Sequence, residues 1–145
     1  MHDGDFVGTW RLASFEGRSS DGTVTYPLGS DACGFIMYAA DGYMSVMISS
    51  ADRPRFGTAD IFAGSKEQRA AAAQSFISYA GRYEVRGEWV RHSVQTSLFP
   101  DWVGSAQDRR YTFEGNRLTL STQPMALGGR QLTAVLVWEK VTSSS

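Results

Sequence analysis

The stretch Gly81–Gly104 constrains the fold most, because two runs of alternating apolar and polar residues flank a tight turn. We place Arg86 and Gly87 in that turn, which sets Gly81 opposite His92 in the predicted hairpin. Side chains alternate across a strand, so the apolar face should point at the core. This face carries Tyr83, Val85, Val90, His92, Val94, Thr96 and Leu98. An imidazole on such a face is the sharpest chemical clue in the sequence.

The strongest turn signal is the Asp-Gly pair between the predicted strands Gly34–Ala40 and Tyr43–Ser49. Both turn residues tolerate positive φ, and a two-residue loop here would pair Tyr38 with Ser45. The pattern leaves open which face of these strands lies inside. The more apolar face is favoured, and it comprises Phe35, Met37, Met44, Val46 and Ile48.

Further strands are predicted at Gly8–Glu16, Gln107–Glu114, Arg117–Thr122 and Gln131–Val141. A Gly-Asn turn joins the middle two, and their apolar residues fall on one face together with Arg109. The whole pattern is typical of an all-β chain with about eight antiparallel strands in an up-and-down meander. Pairing the last strand with the first would close the sheet into a barrel and remove its exposed edges.

One helix interrupts the strands. Ser65 and Gln68 have the spacing of a capping box, and the Ala-rich segment Lys66–Ser78 favours a helix. Gly81 lies just beyond this segment and could help to end it. We find no internal repeat and no linker, so residues 1–145 are predicted to form a single domain.

Composition narrows the classes of partner. Of the 145 residues, 42% are hydrophobic and 20% are charged, so the chain is predicted to be globular. Its net charge of −1 gives no reason to expect a nucleic acid as a binding partner. No apolar run is long enough to cross a membrane. The start, MHDGDFVGTW, lacks a basic and then apolar region, so we expect no signal peptide. The single Cys33 fits a reducing cytoplasm. His2 and His92 are the only histidines and form no ligand cluster, so neither a metal nor another cofactor is expected.

Gly8-Thr9-Trp10, at the start of the first strand, resembles the Gly-x-Trp motif of lipocalins and the wider calycin superfamily. In those proteins the Trp plugs the closed end of the barrel, and a basic residue near the last strand stacks on it. The resemblance implies that Lys140 takes this second role.

A closer resemblance is to the small bacterial and fungal lipocalin-like domain proteins. It rests on blocks in the same order: GTWRL, YPLG, YAADGYMSV, DRPRF, YAGRYEV, the H-x-V-x-x-S-x-F-P-x-W-x-G run of His92–Gly104, RLTLST and LVWEK. The resemblance implies a lipocalin-like barrel with a cavity. Lipocalin-like barrels include carriers of apolar molecules and enzymes that cyclise or isomerise a bound substrate, so it does not name a reaction.

We expect the barrel to bind a small, largely apolar molecule, and a homodimer stays open. If the protein is an enzyme, His92 and Tyr83 are the candidate catalytic residues of a cofactor-free cyclase or isomerase of a natural-product-like substrate, because imidazole titrates near neutrality. The alternatives are a core histidine held by hydrogen bonds in a passive carrier or sensor, or a filled barrel that serves as an interaction module. The candidate ligand-binding residues are Tyr38, Ser45, Arg53, Tyr79, Trp102 and Arg109.

Overall fold

A computed structural model describes residues 3–142 of the chain. It contains one α-helix, α1 (Lys66–Gln74). The strands are β1 (Gly8–Arg18), β2 (Val24–Thr25), β3 (Cys33–Tyr38), β4 (Tyr43–Ser49), β5 (Phe76–Arg86), β6 (Trp89–Ser97), β7 (Ala106–Glu114), β8 (Arg117–Ser121), β9 (Met125–Leu127) and β10 (Arg130–Lys140). Short 3-10 turns occur at Asp3–Asp5 and Pro100–Trp102.

Eight of these strands form a closed antiparallel barrel, in the order β1-β3-β4-β5-β6-β7-β8-β10. Strand β10 pairs with β8 on one side and with β1 on the other, which completes the ring. The two short strands β2 and β9 add to β1 and β10 outside the ring. The predicted eight-stranded barrel with one helix is therefore confirmed.

The two ends of the barrel differ. Tight turns close one end, at residues 39–42, 87–88 and 115–116. The long connections 19–32, 50–75, 98–105 and 122–129 all lie at the other end, because consecutive barrel strands run antiparallel. We call these the closed end and the open end.

Trp10 plugs the closed end. Its indole N–H donates to the backbone oxygen of Phe6 at 2.9 Å, and the Lys140 ammonium lies 4.7 Å from the centre of its ring. Lys140 also donates to the Val7 oxygen at 2.7 Å, so the predicted basic residue covers the Trp. Gly8 makes room for it, since a Cβ there would lie 2.7 Å from Lys140 Cε.

A bulge explains why both faces of the first strand carry apolar residues. The pairing of β1 with β10 slips between Leu12 and Ser14. Trp10 and Leu12 point inward before the slip, and Phe15 points inward after it, so all three are buried. An extra residue in one strand shifts the inside–outside alternation by one.

The β3–β4 register differs from the prediction by one residue. Tyr38 pairs with Met44, and Ser45 pairs with Met37, so the predicted Tyr38–Ser45 pair is wrong. The connecting loop spans residues 39–42, rather than two residues, and this ends β3 earlier.

A slip of one residue exchanges the faces of a strand. The inward residues of β3 are Ile36 and Tyr38, whereas the prediction had favoured Phe35 and Met37. On β4 the predicted inward face is correct, and it carries Met44, Val46 and Ile48.

The helix ends earlier than predicted. The capping box is present, since Ser65 accepts from the Gln68 backbone and the Gln68 side chain accepts from the Ser65 backbone. The helix stops at Gln74, however, because the chain from Phe76 onward pairs with β4. The prediction of helix as far as Ser78 is therefore wrong, and residues 76–78 begin β5.

The two loop residues of the β5–β6 hairpin are Gly87 and Glu88, one position later in the chain than the predicted Arg86 and Gly87. Tyr83 therefore lies opposite His92, and Gly81 lies opposite Val94. The shift of two residues in pairing leaves the predicted faces unchanged, because side chains alternate with a period of two. Gly81 does not end the helix and lies inside β5 beside a bulge.

We expect Gly81→Ala to destabilise the barrel. A Cβ at this position would lie 1.9 Å from the Ser93 backbone oxygen, a contact that only a backbone shift can relieve. The expected loss is about 2 kcal/mol or more in the free energy of unfolding, as for overpacked sites. Urea denaturation measures it. Gly4→Ala is the matched control, because a Cβ there meets nothing within 4 Å, and equal effects of the two substitutions would contradict the explanation.

Candidate functional site

A cavity occupies the open half of the barrel. The volume in which the centre of a water molecule can be placed is about 50 Å³. All the empty space between the lining atoms, including the part that opens to solvent at the mouth, is about 530 Å³. The wall is largely apolar, and it includes Phe15, Ile36, Val46, Ile48, Leu120 and Leu136. Side chains that carry polar groups interrupt it: Tyr79, His92, Trp102, Arg109, Thr122 and Trp138. This cavity has room for a few water molecules.

His92 is buried at the inner end of the cavity, where 1% of its surface is exposed. The Tyr38 hydroxyl lies 2.7 Å from Nε2, and the Tyr79 hydroxyl lies 2.7 Å from Nδ1. A neutral imidazole donates from one nitrogen and accepts at the other. One tyrosine therefore donates to the ring and the other accepts from it, which satisfies both ring nitrogens.

This environment keeps His92 neutral. Burial, and after it the positive charge of Arg109, lower the pKa of the imidazole from 6.5 to about 3. Burial also raises the pKa of the Tyr38 and Tyr79 hydroxyls above their ordinary value. All three rings therefore stay uncharged near neutral pH, and the imidazole is a weak base there.

Arg109 brings a positive charge into this wall. It lies on the inward face of β7, as predicted, and is half-buried beside Tyr79 and His92. Its guanidinium donates to the Asp108 backbone oxygen at 3.2 Å and to Gln107 Oε1 at 3.4 Å. Both acceptors are neutral, so the charge has no counterpart in these contacts.

Trp138 lines the cavity from β10 and is 1% exposed. Among the described residues, the indole N–H of Trp138 is the buried side-chain group that lacks a hydrogen-bond partner. A buried donor without an acceptor costs about 1–3 kcal/mol. The wall therefore holds a donor that an oxygen atom in the cavity could satisfy.

Aromatic residues of the connection 98–105 form the mouth of the cavity. Trp102 packs edge-on against Tyr79 at 5.7 Å between ring centres and against Phe99 at 5.5 Å. Leu98, Phe99 and Val103 are about half exposed around it, at 46%, 52% and 51%. Trp102 is thus the lining residue that separates Tyr79 from this apolar rim.

Of the residues predicted to bind a ligand, Tyr79, Trp102 and Arg109 line the cavity together with His92. Tyr38 lies behind His92 and contacts it through the hydroxyl. His92 at the inner end and Trp102 at the mouth therefore line the same cavity.

Three predicted residues lie elsewhere. Tyr83 points into the closed half, where its hydroxyl donates to the Ala39 oxygen at 2.8 Å. Ser45 lies on the outer surface, because the β3–β4 register places its side chain outside. Arg53 anchors the connection before the helix, donating to Ala72 and Ser75 at 3.0 Å each, and the apolar cavity does not include it.

Sequence reasoning missed Trp138 and Thr122. Trp138 alternates with Leu136 and Ala134 along the last strand, and this alternation alone would have placed it inside. Thr122 follows β8 and accepts from the Ala134 backbone at 3.0 Å. The predicted hairpin ended at Thr122, but nothing in the local pattern marked it as a wall residue.

Within positions 3–142, no group of three His, Cys, Asp or Glu side chains could hold a metal ion; His2 lies outside this range. In the same range, no helix is long and apolar enough to cross a membrane.

The burial of neutral His92 predicts a pH dependence of stability. The unfolded imidazole takes up a proton near pH 6.5, whereas the folded one resists it until about pH 3. Stability is therefore complete above about pH 6.5 and falls as the pH drops through this window. Between about pH 6.5 and 4.5 we expect a loss of roughly 2–3 kcal/mol.

Urea denaturation at several pH values measures this loss. His92→Gln is the control, because its amide can contact both tyrosines and does not titrate. The variant should have a much flatter profile over the same window. A wild-type profile as flat as that of the variant would show that burial does not hold the imidazole neutral.

The comparison with protein families agrees with the architecture. A family model described as a lipocalin-like domain matches residues 7–141. The 4′-hydroxy-3′-methoxypropiophenone carrier protein ppsC of Aspergillus oryzae is 28% identical over 107 residues, which cover 68% of this chain and 96% of that protein. A lipocalin-like protein from Bacteroides uniformis is 13% identical, with a TM-score of 0.49 over 94% of this chain and 99% of its own. The fluorescent protein UnaG is 15% identical, with a TM-score of 0.42 over 97% of this chain and 100% of its own. Since the family model matches nearly the whole chain, this protein belongs to the lipocalin-like domain family.

Proposed function

We propose that the protein is a carrier that binds a small, largely apolar molecule in the open half of the barrel, without catalysing a reaction on it. The observation that carries this proposal is the cavity itself, whose apolar wall is interrupted by a few polar groups. Small-molecule sites in proteins have this composition, because apolar surface supplies affinity and a few polar atoms set orientation.

The relative from Aspergillus oryzae supports the same class of function. Its name makes it a carrier of an aryl ketone that bears a hydroxyl and a methoxy group. A flat aromatic ring with two or three oxygen atoms suits a cavity with mainly apolar walls and a few hydrogen-bonding groups. We therefore propose ring compounds of this size as ligands of the present protein.

A cofactor-free cyclase or isomerase has weaker support. A general acid or base works best with a pKa near the working pH, whereas the pKa of His92 is lowered to about 3. Tyrosines occupy both of its ring nitrogens, so neither is free to take a proton from a substrate. Tyr83, the second candidate, is turned towards the closed end and bonded to a backbone oxygen.

The size of the cavity sets a condition on binding. About 50 Å³ of space for water centres is too little for an aromatic ketone, so wall residues must move to admit one. Side chains at the mouth are the least buried part of the wall, and they include Trp102, Met125 and Leu127. We propose that these side chains turn outward when a ligand enters.

Binding is tested by titrating the protein with 4′-hydroxy-3′-methoxypropiophenone and following tryptophan fluorescence, since Trp102 and Trp138 both line the cavity. Ala134→Leu should weaken binding about tenfold or more, because its added carbons fill space that the ligand needs. Val135→Leu is the matched control on the outward face of the same strand and should bind normally.

A neutral apolar fluorophore, 1-aminoanthracene, serves as a second probe that is independent of the ketone. If the wild-type protein binds neither the ketone nor 1-aminoanthracene, the proposed function is contradicted. So would binding that Ala134→Leu leaves unchanged, because the ligand would then lie outside the barrel.

The mouth makes a kinetic prediction. Trp102→Ala removes the ring that packs on Tyr79 and Phe99, so the ligand should enter and leave faster. We expect both rate constants to rise by about tenfold, with a smaller change in affinity. Stopped-flow fluorescence measures the two rates. Phe99→Ala, at the exposed rim, should change them less, and unchanged rates in Trp102→Ala would argue against entry at this point.

A further inference from the structure

Arg109 has no acidic partner in the cavity. Within the described part of the chain, no carboxylate oxygen lies within 4.0 Å of its guanidinium nitrogens, although five other arginines form such pairs. The nearest acid in sequence, Asp108, points to the outer face and is held by Arg91 at 2.7 and 2.9 Å. The groups that Arg109 does contact are neutral: the Asp108 backbone oxygen at 3.2 Å, Gln107 Oε1 at 3.4 Å and the Tyr79 side chain. The Asp108 carboxylate acts on Arg109 only through space.

The groups beside the guanidinium are also neutral. Tyr79 and His92 are buried and bonded to each other, and burial disfavours a charge on either ring. The nearest carboxylate, Asp108, is shared with Arg91 and reaches Arg109 only through space, so this half-buried arginine beside neutral groups and apolar walls is incompletely compensated. Its strongest available partner is an anionic oxygen, which forms a charge-assisted hydrogen bond with a guanidinium.

The indole N–H of Trp138 is a second, independent observation. It is buried and unpaired among the described residues, in the wall of the same cavity. Strand β8 runs from the closed end to the open end, so its residue numbers measure depth. Trp138 pairs with Leu118, near the start of β8. Arg109 lies one residue nearer the mouth than Arg110, which pairs with Ser121 at the end of β8, so Trp138 is the deeper of the two. The two donors thus lie at different depths of the cavity.

We propose that the cavity selects small apolar molecules with an acidic oxygen, and that Arg109 binds this oxygen as an anion near the mouth while Trp138 donates to a second, neutral oxygen at the deep end. The proposal rests on the proposed function, which supplies the cavity ligand. The present proposal adds that the bound ligand is ionised and that its acidic oxygen points towards the mouth of the barrel. The acidic group is a phenol or a carboxylic acid, since each ionises to an oxygen anion.

Binding next to a cation favours the ionised form of the ligand, so a bound phenol should ionise at lower pH than the free phenol. Phenolates absorb at longer wavelength than phenols, and the ionisation of a bound ligand can therefore be followed directly. The natural probe is 4′-hydroxy-3′-methoxypropiophenone, with its phenol at one end and its ketone at the other. Its methylated analogue, 3′,4′-dimethoxypropiophenone, has the same ring and ketone but cannot ionise.

The decisive variant is Arg109→Met, which keeps the length of the side chain and removes the charge. Arg110→Met is the matched control, because Arg110 is the next residue on β7, points outward and is exposed. In the wild-type protein and in Arg110→Met, the bound phenol should titrate about one pH unit or more below the free compound. In Arg109→Met this lowering should disappear, and affinity for the phenolate should fall about tenfold to a hundredfold.

The dimethoxy analogue separates the two proposals. If it binds the wild-type protein and Arg109→Met equally well, the cavity and the fold are intact in the variant. The anion proposal is then overturned by a bound phenol that titrates like the free one, or by a lowering that persists in Arg109→Met. A wild-type protein that binds neither ketone overturns the proposed function together with this inference.

Trp138→Phe tests the deep end. The ring remains and the N–H is lost, so affinity for the dimethoxy ketone should fall about threefold to tenfold. Affinity for 1,2-dimethoxy-4-propylbenzene, which lacks the ketone oxygen, should not change, and this compound also reports on the integrity of the cavity. Equal losses for the two compounds, or no loss for the ketone, would remove Trp138 from the proposal.

Discussion

The pairing of β1 with β10 is the constraint on which the rest of the structure depends. It leaves no open edge in the ring, so every barrel strand has one face turned inward. It also brings Lys140 over Trp10, which seals the closed end next to Phe6. Phe6 packs there against the rings of Tyr38, Tyr111 and Phe113 at 4.9–5.1 Å between ring centres. Because these rings and the tight turns fill the closed end, the cavity lies towards the long connections.

His92 lies at the boundary between the filled half and the cavity. Its two tyrosine partners come from different strands, Tyr38 on the closed side and Tyr79 on the cavity side. The bonded group links β3, β5 and β6 across the interior and keeps a polar ring neutral where water is excluded. The same bonds that stabilise this layer leave the imidazole poorly suited to proton transfer, which supports the proposal of a carrier.

Much of the fold and part of the site could be predicted from local patterns. The Gly-Asn hairpin placed Arg109 on the inward face with Tyr111, and alternation around His92 placed that ring inside. Ser45 and Arg53 were misplaced for different reasons. The position of Ser45 depends on a loop of four residues where the Asp-Gly signal suggested two, and that of Arg53 on acceptors 19 and 22 residues away in the chain.

The sequence by itself determined the barrel, its helix and the inward position of His92, because hydrophobic periodicity, capping and turn chemistry act over a few neighbouring residues. Only the tertiary structure decided what each inward group meets. It decided that His92 pairs with Tyr38 and Tyr79. It also left the N–H of Trp138 without a hydrogen-bond partner, and Arg109 without an ion pair, among the described residues. All three outcomes depend on which distant strands meet. Such contacts follow from register and closure, where a shift of one residue exchanges the inside with the outside.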